Sequence, residues 1–191
     1  KSMIISKTPL RVSFFGGGTD LEYYSRFHEG KVVSTSINKY VYVVVRKHSP
    51  FYNTKFRLNY SISENQNFLN NIKNKIIKEC LKFLSINGPI YISTFSDIPD
   101  RSGLGSSSSF TVGLLNALYK YKGIKISQKK LAEQAYIIET KKIKNPIGRQ
   151  DQYAAALGGL NFFTFKKNNT VKVQKIDSKR LESFINKNMI L

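Results

Sequence analysis

At 191 residues, with 41% hydrophobic, 13% aromatic and 23% charged residues, the chain has a globular composition and the length to bury a core without disulfide staples; it is not a disordered tail. The longest apolar run, residues 40–45, is far short of the roughly 20 residues of a membrane helix, no basic-then-apolar leader is seen, and the single Cys80 has no intramolecular partner, so a cytoplasmic chain without a membrane partner is expected. The 31 Lys+Arg against 12 Asp+Glu give a net +19, which invites an anionic partner such as nucleic acid. The basic residues are spread along the whole chain among Asn and Ile, however, which argues for biased composition and against a nucleic-acid stripe.

Met3 is the expected natural start, behind Lys1 and Ser2. Residues 3–6 and 9–15 read as two short strands, the second stopped by Gly16, Gly17 and Gly18, where the backbone can turn through regions closed to other residues. Val, Tyr and Thr in partial alternation predict one long strand or two short ones over 31–47 and another strand over 56–61. From Phe68 the period becomes helical: Leu69, Ile72, Ile76, Ile77, Cys80, Leu81 and Leu84 continue its apolar stripe, predicting one amphipathic helix that ends near Asn87-Gly88-Pro89 and packs Cys80 as a core thiol. Residues 89–95 read as a strand, 97–105 as a loop, and 106–121 as a helix capped by Gly123. Ser127 is a good N-cap for a helix to about Lys142 that turns Leu131, Ala135 and Ile138 inward. Asn145-Pro146 breaks it, and 148–157 holds a short helix ended by Gly158-Gly159. Residues 160–166 and 171–176 form a hairpin, 178–186 is a last amphipathic segment, and 189–191 is the expected start of a further strand. Strands first, then strands mixed with helices, predict an α+β fold.

The segment 97–109 carries the strongest chemical signal. Gly103 and Gly105, two apart, let backbone N–H groups point into one concavity, and Ser106, Ser107, Ser108 and Ser109 follow in the first turn of a helix. The unpaired N–H groups and dipole of that turn favour an anion. The segment is neither a P-loop nor a dinucleotide fingerprint. The competing reading is a serine-rich turn with a serine N-cap.

Pro99 followed by Gly103-Leu104-Gly105-Ser106-Ser107-Ser108 resembles the second motif of the GHMP kinases, small-molecule kinases named after galactokinase, homoserine kinase, mevalonate kinase and phosphomevalonate kinase. Thr8-Pro9-Leu10-Arg11-Val12-Ser13-Phe14-Phe15-Gly16-Gly17-Gly18-Thr19-Asp20-Leu21 is similar to their first motif, in the triple-glycine form of the family's sugar kinases. The stretch Gly148-Arg149-Gln150-Asp151-Gln152-Tyr153, running on to Gly158-Gly159, resembles the segment of the proposed catalytic aspartate. Within the family the likeness is strongest to bacterial kinases that phosphorylate D-glycero-D-manno-heptose 7-phosphate at the anomeric hydroxyl. The match runs over essentially the whole chain but only the amino-terminal portion of such a kinase, so 1–191 is expected to be its ATP- and sugar-binding domain, without the third motif and the carboxy-terminal domain.

The resemblance implies a fold like the second domain of ribosomal protein S5 and, as ligands, ATP, Mg²⁺ and a sugar or sugar phosphate. It implies that Gly103, Leu104, Gly105, Ser106, Ser107 and Ser108 wrap the ATP phosphates. Ser107 and Glu139 would serve the metal, Asp151 and Arg11 the phosphoryl transfer, and Gly17, Gly18, Thr19 and Asp20 the sugar. Asp20 and Thr19 are expected to bond its hydroxyls. Blander readings stand beside these: a solvated helix glutamate near Lys142 for Glu139, a strand-edge charge for Arg11, a helix N-cap for Asp151, and a tight turn for the glycines. Tyr23, Tyr24, Tyr40 and Tyr42 could stack on a base or sugar but fit the core better, and His28 and His48 have no ligand spacing. Asp100, Arg101, Ser109 and Pro146-Ile147 depart from the family pattern and leave the exact sugar open, as is the oligomeric state. The alternatives are a basic RNA-binding module of the same topology and a kinase for another sugar such as fucose or galactose.

Overall fold

A computed structural model of the chain describes residues 3–49, 51–99 and 102–189. Its elements are β1 (Ile4–Phe15), α1 (Glu22–Ser25), β2 (Gly30–Lys47), β3 (Phe56–Asn59), β4 (Ser63–Gln66), α2 (Lys75–Phe83), β5 (Ile90–Ser96), α3 (Ser106–Lys122), α4 (Gln128–Ile137), α5 (Gln150–Leu157), β6 (Leu160–Phe165), β7 (Val171–Lys175) and α6 (Lys179–Asn188). The 18-residue β2 is the spine of one seven-stranded sheet. One edge of it pairs antiparallel with β1 along nearly its full length, while the other edge takes β6 along residues 30–35 and β5 along 41–47. Strand β3 joins β5 in parallel, and β4 and β7 close the two ends antiparallel.

The period-2 alternation of β2 puts Val41, Val43 and Val45 on the inner face, where they are buried. Helix α3 lies across β1 and β2 on that face, with α2, α4 and α5 around it. Leu114, Leu115 and Leu118 of α3 pack with Leu10, Val43 and Ile92 of the sheet in the main core, and Val32, Tyr153, Phe163 and Phe165 form a smaller one under β6. The α+β reading and the hairpin over β6 and β7 hold.

Several elements differ from expectation. The two predicted strands at the amino end are one, because β1 pairs with β2 alone and Pro9 is tolerated on that edge; the register shifts at Pro9/Arg11 and again at Ser13/Phe15. The single helix predicted from Phe68 is two pieces, a 3-10 turn at Leu69–Asn71 and then α2. Asn74 breaks the run by turning extended and accepting the Ile77 N–H at 3.0 Å, an N-cap in the middle of the apolar stripe. Strand β4 has no apolar alternation; its buried Glu64 is accommodated because Tyr60 Oη, Gln66 Nε2 and the Lys73 N–H all donate to it. The helix expected to reach Lys142 ends at Ile137 and continues as a π turn, Ile138–Lys142. Tyr40 and Tyr42 are not core residues: they are half-buried on the outer face of the sheet, where Tyr42 stacks on Phe95 with centroids 4.8 Å apart. Cys80 is buried as expected. Asp100 and Arg101, and Ile190 and Leu191 of the expected last strand, lie outside the described residues. No helix among the described residues is long and apolar enough to cross a membrane.

Candidate active site

The site forms where the amino end of α3, the first motif at the end of β1, and the start of α5 meet. Gly103 and Gly105 hold φ of 77° and 78°, left-handed values that let the chain turn sharply into α3. Gly105 is the N-cap and brings no side-chain acceptor, so the first N–H groups of the 17-residue helix stay available to an outside anion. The four serines divide by orientation. Ser106 and Ser107 stay accessible, whereas Ser108 and Ser109 are buried. Ser109 Oγ donates at 2.8 Å to the Pro9 carbonyl, at the register shift of β1, and so ties the helix to that strand.

The same irregularity aims Arg11 across the loop. Its backbone N–H donates to the Leu104 carbonyl at 3.1 Å, and its Nη1 to the Gly103 carbonyl at 2.7 Å. The guanidinium then forks over Asp151, with Nε to Oδ1 and Nη2 to Oδ2 each at 2.8 Å. Arg11 is thus no strand-edge charge, and Asp151 is no N-cap: Arg149 occupies that position and Asp151 lies in the first turn of α5. Burial pushes the Asp151 carboxyl up from its ordinary value, the Arg11 cation opposes this, and the Asp20 charge adds to it.

Glu139 lies on the π turn, fully buried, so the reading of a solvated helix glutamate is overturned. Its Oε1 accepts from Ser107 Oγ at 3.1 Å, and its Oε2 from Ser108 Oγ at 2.9 Å and Gln152 Nε2 at 2.6 Å. Burial raises its pKa against these three donors. Among the described residues no group of three or more His, Cys, Asp or Glu side chains could hold a metal. An accessible hydroxyl 3.1 Å from a buried carboxylate oxygen nevertheless fits Mg²⁺, which takes one or two protein oxygens and fills its remaining positions with phosphate oxygens and water.

On the opposite side, Gly17 and Gly18 form an exposed turn. The polar atoms of Thr19 and Asp20, expected to bond the sugar hydroxyls, make bonds within the chain that fix the turn and brace α5. Thr19 Oγ1 donates to the Gly16 carbonyl at 2.7 Å and accepts the Lys31 N–H at 3.0 Å. Asp20 is 2% exposed and accepts from the Gln150 N–H at 2.9 Å and from Gln150 Nε2 at 3.3 Å, capping the start of α5 with a carboxylate. Gln150 Oε1 in turn accepts from Ser13 Oγ at 2.8 Å. Tyr23 and Tyr24 stand exposed on α1 just beyond this turn. The His28 ring is tilted against that of Tyr24, while His48 is buried and stacks on Tyr52, away from the site. A cleft of about 620 Å³ opens beside Ser106 and Ser107, walled by Val41, Tyr60, Asn74, Pro99 and Phe110.

Residues 70–159 match the family model of the GHMP kinases N terminal domain. Over 187 residues the chain is 33% identical to D-glycero-alpha-D-manno-heptose 7-phosphate kinase of Campylobacter jejuni, covering 91% of this chain and 54% of that protein. The chain is thus similar to the GHMP kinases, and residues 70–159 carry the match to their N-terminal domain. It is also 26% identical to the mevalonate kinase of Saccharolobus solfataricus over 84% of this chain and 51% of that protein. The crystal structure of a D-glycero-D-manno-heptose 1-phosphate kinase from Bacteroides thetaiotaomicron superposes with a TM-score of 0.85 at 28% identity, covering 94% of this chain and 61% of that one. The chain spans about half the length of the GHMP relatives it matches. Ser13, Gln150 and Gln152 join the site without having been singled out from the sequence. Gln150 and Gln152 flank Asp151 in the third GHMP-like segment, and that adjacency was the only signal for them. The apolar cleft had no local signal at all, since its walls come from five separate segments.

Proposed function

We propose that the chain supplies the nucleotide- and sugar-binding domain of an ATP-dependent sugar kinase, which transfers the γ-phosphoryl group to the anomeric hydroxyl of D-glycero-D-manno-heptose 7-phosphate or a related sugar. The observation that carries this reading is the junction at Arg11, whose guanidinium bridges Asp151 and the Gly103 carbonyl. That junction sets a carboxylate and a permanent cation at the mouth of an anion-binding loop, which is the equipment phosphoryl transfer to an alcohol needs. The heptose phosphate substrate is argued from the likeness to the two heptose phosphate kinases.

In this reading the cleft beside Ser106 takes the nucleoside, its volume being ordinary for such a ligand. The free N–H groups of Ser106, Ser107 and Ser108 cradle the phosphates together with the Gly103-Leu104-Gly105 backbone. Ser107 Oγ and Glu139 Oε1 would hold Mg²⁺, whose chemistry is to neutralise charge on the phosphate oxygens. The sugar lies against the exposed backbone of Gly17 and Gly18, with Thr19 and Asp20 fixing that turn. Asp151 accepts a hydrogen bond from the attacking hydroxyl and takes its proton late. A raised carboxyl pKa makes Asp151 a better acceptor than an ordinary aspartate, and an anomeric hydroxyl is more acidic than a simple alcohol. Arg11 keeps Asp151 oriented and stabilises charge on the phosphoryl group in flight.

The test is an ADP-release screen of the full-length protein against sugars and sugar phosphates, with phosphorus NMR locating the new phosphate. A new anomeric phosphate on a heptose 7-phosphate is the expected result. Turnover only on fucose or galactose would reassign the substrate, and ATP-independent RNA binding with no turnover on any sugar would overturn the kinase reading.

A further inference from the structure

Gln152 is fully buried, one residue beyond Asp151 on α5, and its side chain turns away from the Arg11 pair toward the carboxylate of Glu139. Its Nε2 spends both N–H groups there, on Glu139 Oε2 at 2.6 Å and on Ser108 Oγ at 3.0 Å. Ser108 Oγ donates its own hydrogen bond to the same Oε2 at 2.9 Å. One oxygen of the carboxylate is therefore clamped from two sides, while Oε1 receives only the accessible Ser107 hydroxyl. The arrangement leaves Gln152 Oε1 buried with no hydrogen-bond partner among the described residues. An orphaned buried acceptor is unfavourable, and such local conflicts concentrate where function requires them.

We infer that Gln152 is a positioning residue for the metal side of the site: with Ser108 it locks Oε2 of Glu139 so that Oε1 is the oxygen presented to the cation at Ser107. This rests on the reading of Ser107 and Glu139 as metal-holding residues. The geometry separates the two halves of the site on one helix, since Asp151 faces Arg11 while Gln152 faces Glu139. Removing the Gln152 amide releases Oε2 and lets the carboxylate rotate, without touching the Arg11–Asp151 fork or the Gly17 turn. Partners that orient a metal-ligating side chain commonly control affinity about as strongly as a weak ligand does.

The experiment is direct binding of Mn²⁺ to the full-length protein in the presence of ADP, followed by electron paramagnetic resonance, for wild type, Gln152→Met and Ser108→Ala. Methionine keeps the length of the side chain and removes its N–H donors. The expected result is Mn²⁺ affinity in the ADP complex about 10-fold weaker for Gln152→Met and reduced in the same direction for Ser108→Ala. The KM for Mg·ATP should rise in step while the KM for the sugar stays put. Wild-type protein that binds Mn·ADP together with a Gln152→Met variant within twofold of it overturns this inference alone. Should Gln152→Met not fold, Ser108→Ala within twofold of wild type has the same force. Wild-type protein that binds no Mn·ADP overturns the kinase reading, and this inference with it.

Discussion

The Arg11–Asp151 fork is the contact on which most of the site depends. Both side chains are largely withdrawn from water, at 13% and 24% exposure, so each charge relies on the other and on the loop carbonyl that Arg11 also holds. Removing one member leaves the other as a poorly solvated charge. Arg11→Met should therefore cost about 3 kcal/mol of stability, visible as a lowered midpoint in urea unfolding. Arg11→Lys should keep much of the stability but lose the fork, and with it most of kcat. If Arg11→Met unfolded at the wild-type midpoint, the ion pair would be decorative.

Glu139 and Asp151 also set a pH dependence. Both carboxyls have pKa values raised by burial, so the folded chain holds their protons more tightly than the unfolded chain does. Stability contributed in this way is complete below the unfolded carboxylate value and is lost as pH rises through the raised folded values. Glu139→Gln removes one of the two groups at nearly constant shape, and the Ser107 and Ser108 hydroxyls can rotate to suit the amide. Its melting temperature should fall less steeply than that of wild type as pH climbs from the carboxylate range toward neutral; parallel curves for the two proteins would show that Glu139 does not titrate there.

At the scale of elements, the turn and the helix that frame the proposed sugar side are held by close approach. Gly148 lies against Asp20, and a Cβ at Gly148 would overlap the Asp20 carboxylate. Gly148→Ala has to push Asp20 off the start of α5, which should cost about 3 kcal/mol and displace Asp151 together with its helix. A structure or a melting curve of the variant indistinguishable from wild type would mean that Asp20 is not the bracket described. Much at this scale was legible in the sequence. The helix after Gly105, the cap at Ser127, the hairpin and the three motif segments all rest on local chemistry, on glycines with positive φ and on serine and asparagine side chains that bond nearby backbone. The departures come from side-chain contacts outside any repeat, some of them local, at Asn74 and Glu64, and some made at long range. Strand β4 is held by Glu64 accepting from groups outside any alternation pattern, the π turn exists where it sinks Glu139 under Ser107 and Ser108, and Asp20 turned out to brace α5 from 130 residues away. No periodicity encodes these.

For the molecule as a whole, the proposed kinase activity would give the +19 charge a use that does not require nucleic acid. ATP and a phosphosugar are both polyanions, and a positive field raises their encounter rate. The kcat/KM of the full-length protein for Mg·ATP should fall as ionic strength is raised from low to physiological, with kcat little changed; a kcat/KM insensitive to salt would leave the charge without a part in substrate capture. The chain corresponds to about half of its curated relatives in length, so such kinetics belong to the full-length protein. The central claim is that Asp151, oriented by Arg11 beside the Gly103 loop, receives the proton of the sugar hydroxyl. The most direct test is the single-turnover rate of phosphoryl transfer by full-length Asp151→Asn with saturating Mg·ATP and its best sugar substrate. The account predicts a rate lower by about 100-fold or more, with nucleotide affinity close to wild type; transfer at the wild-type rate would contradict it.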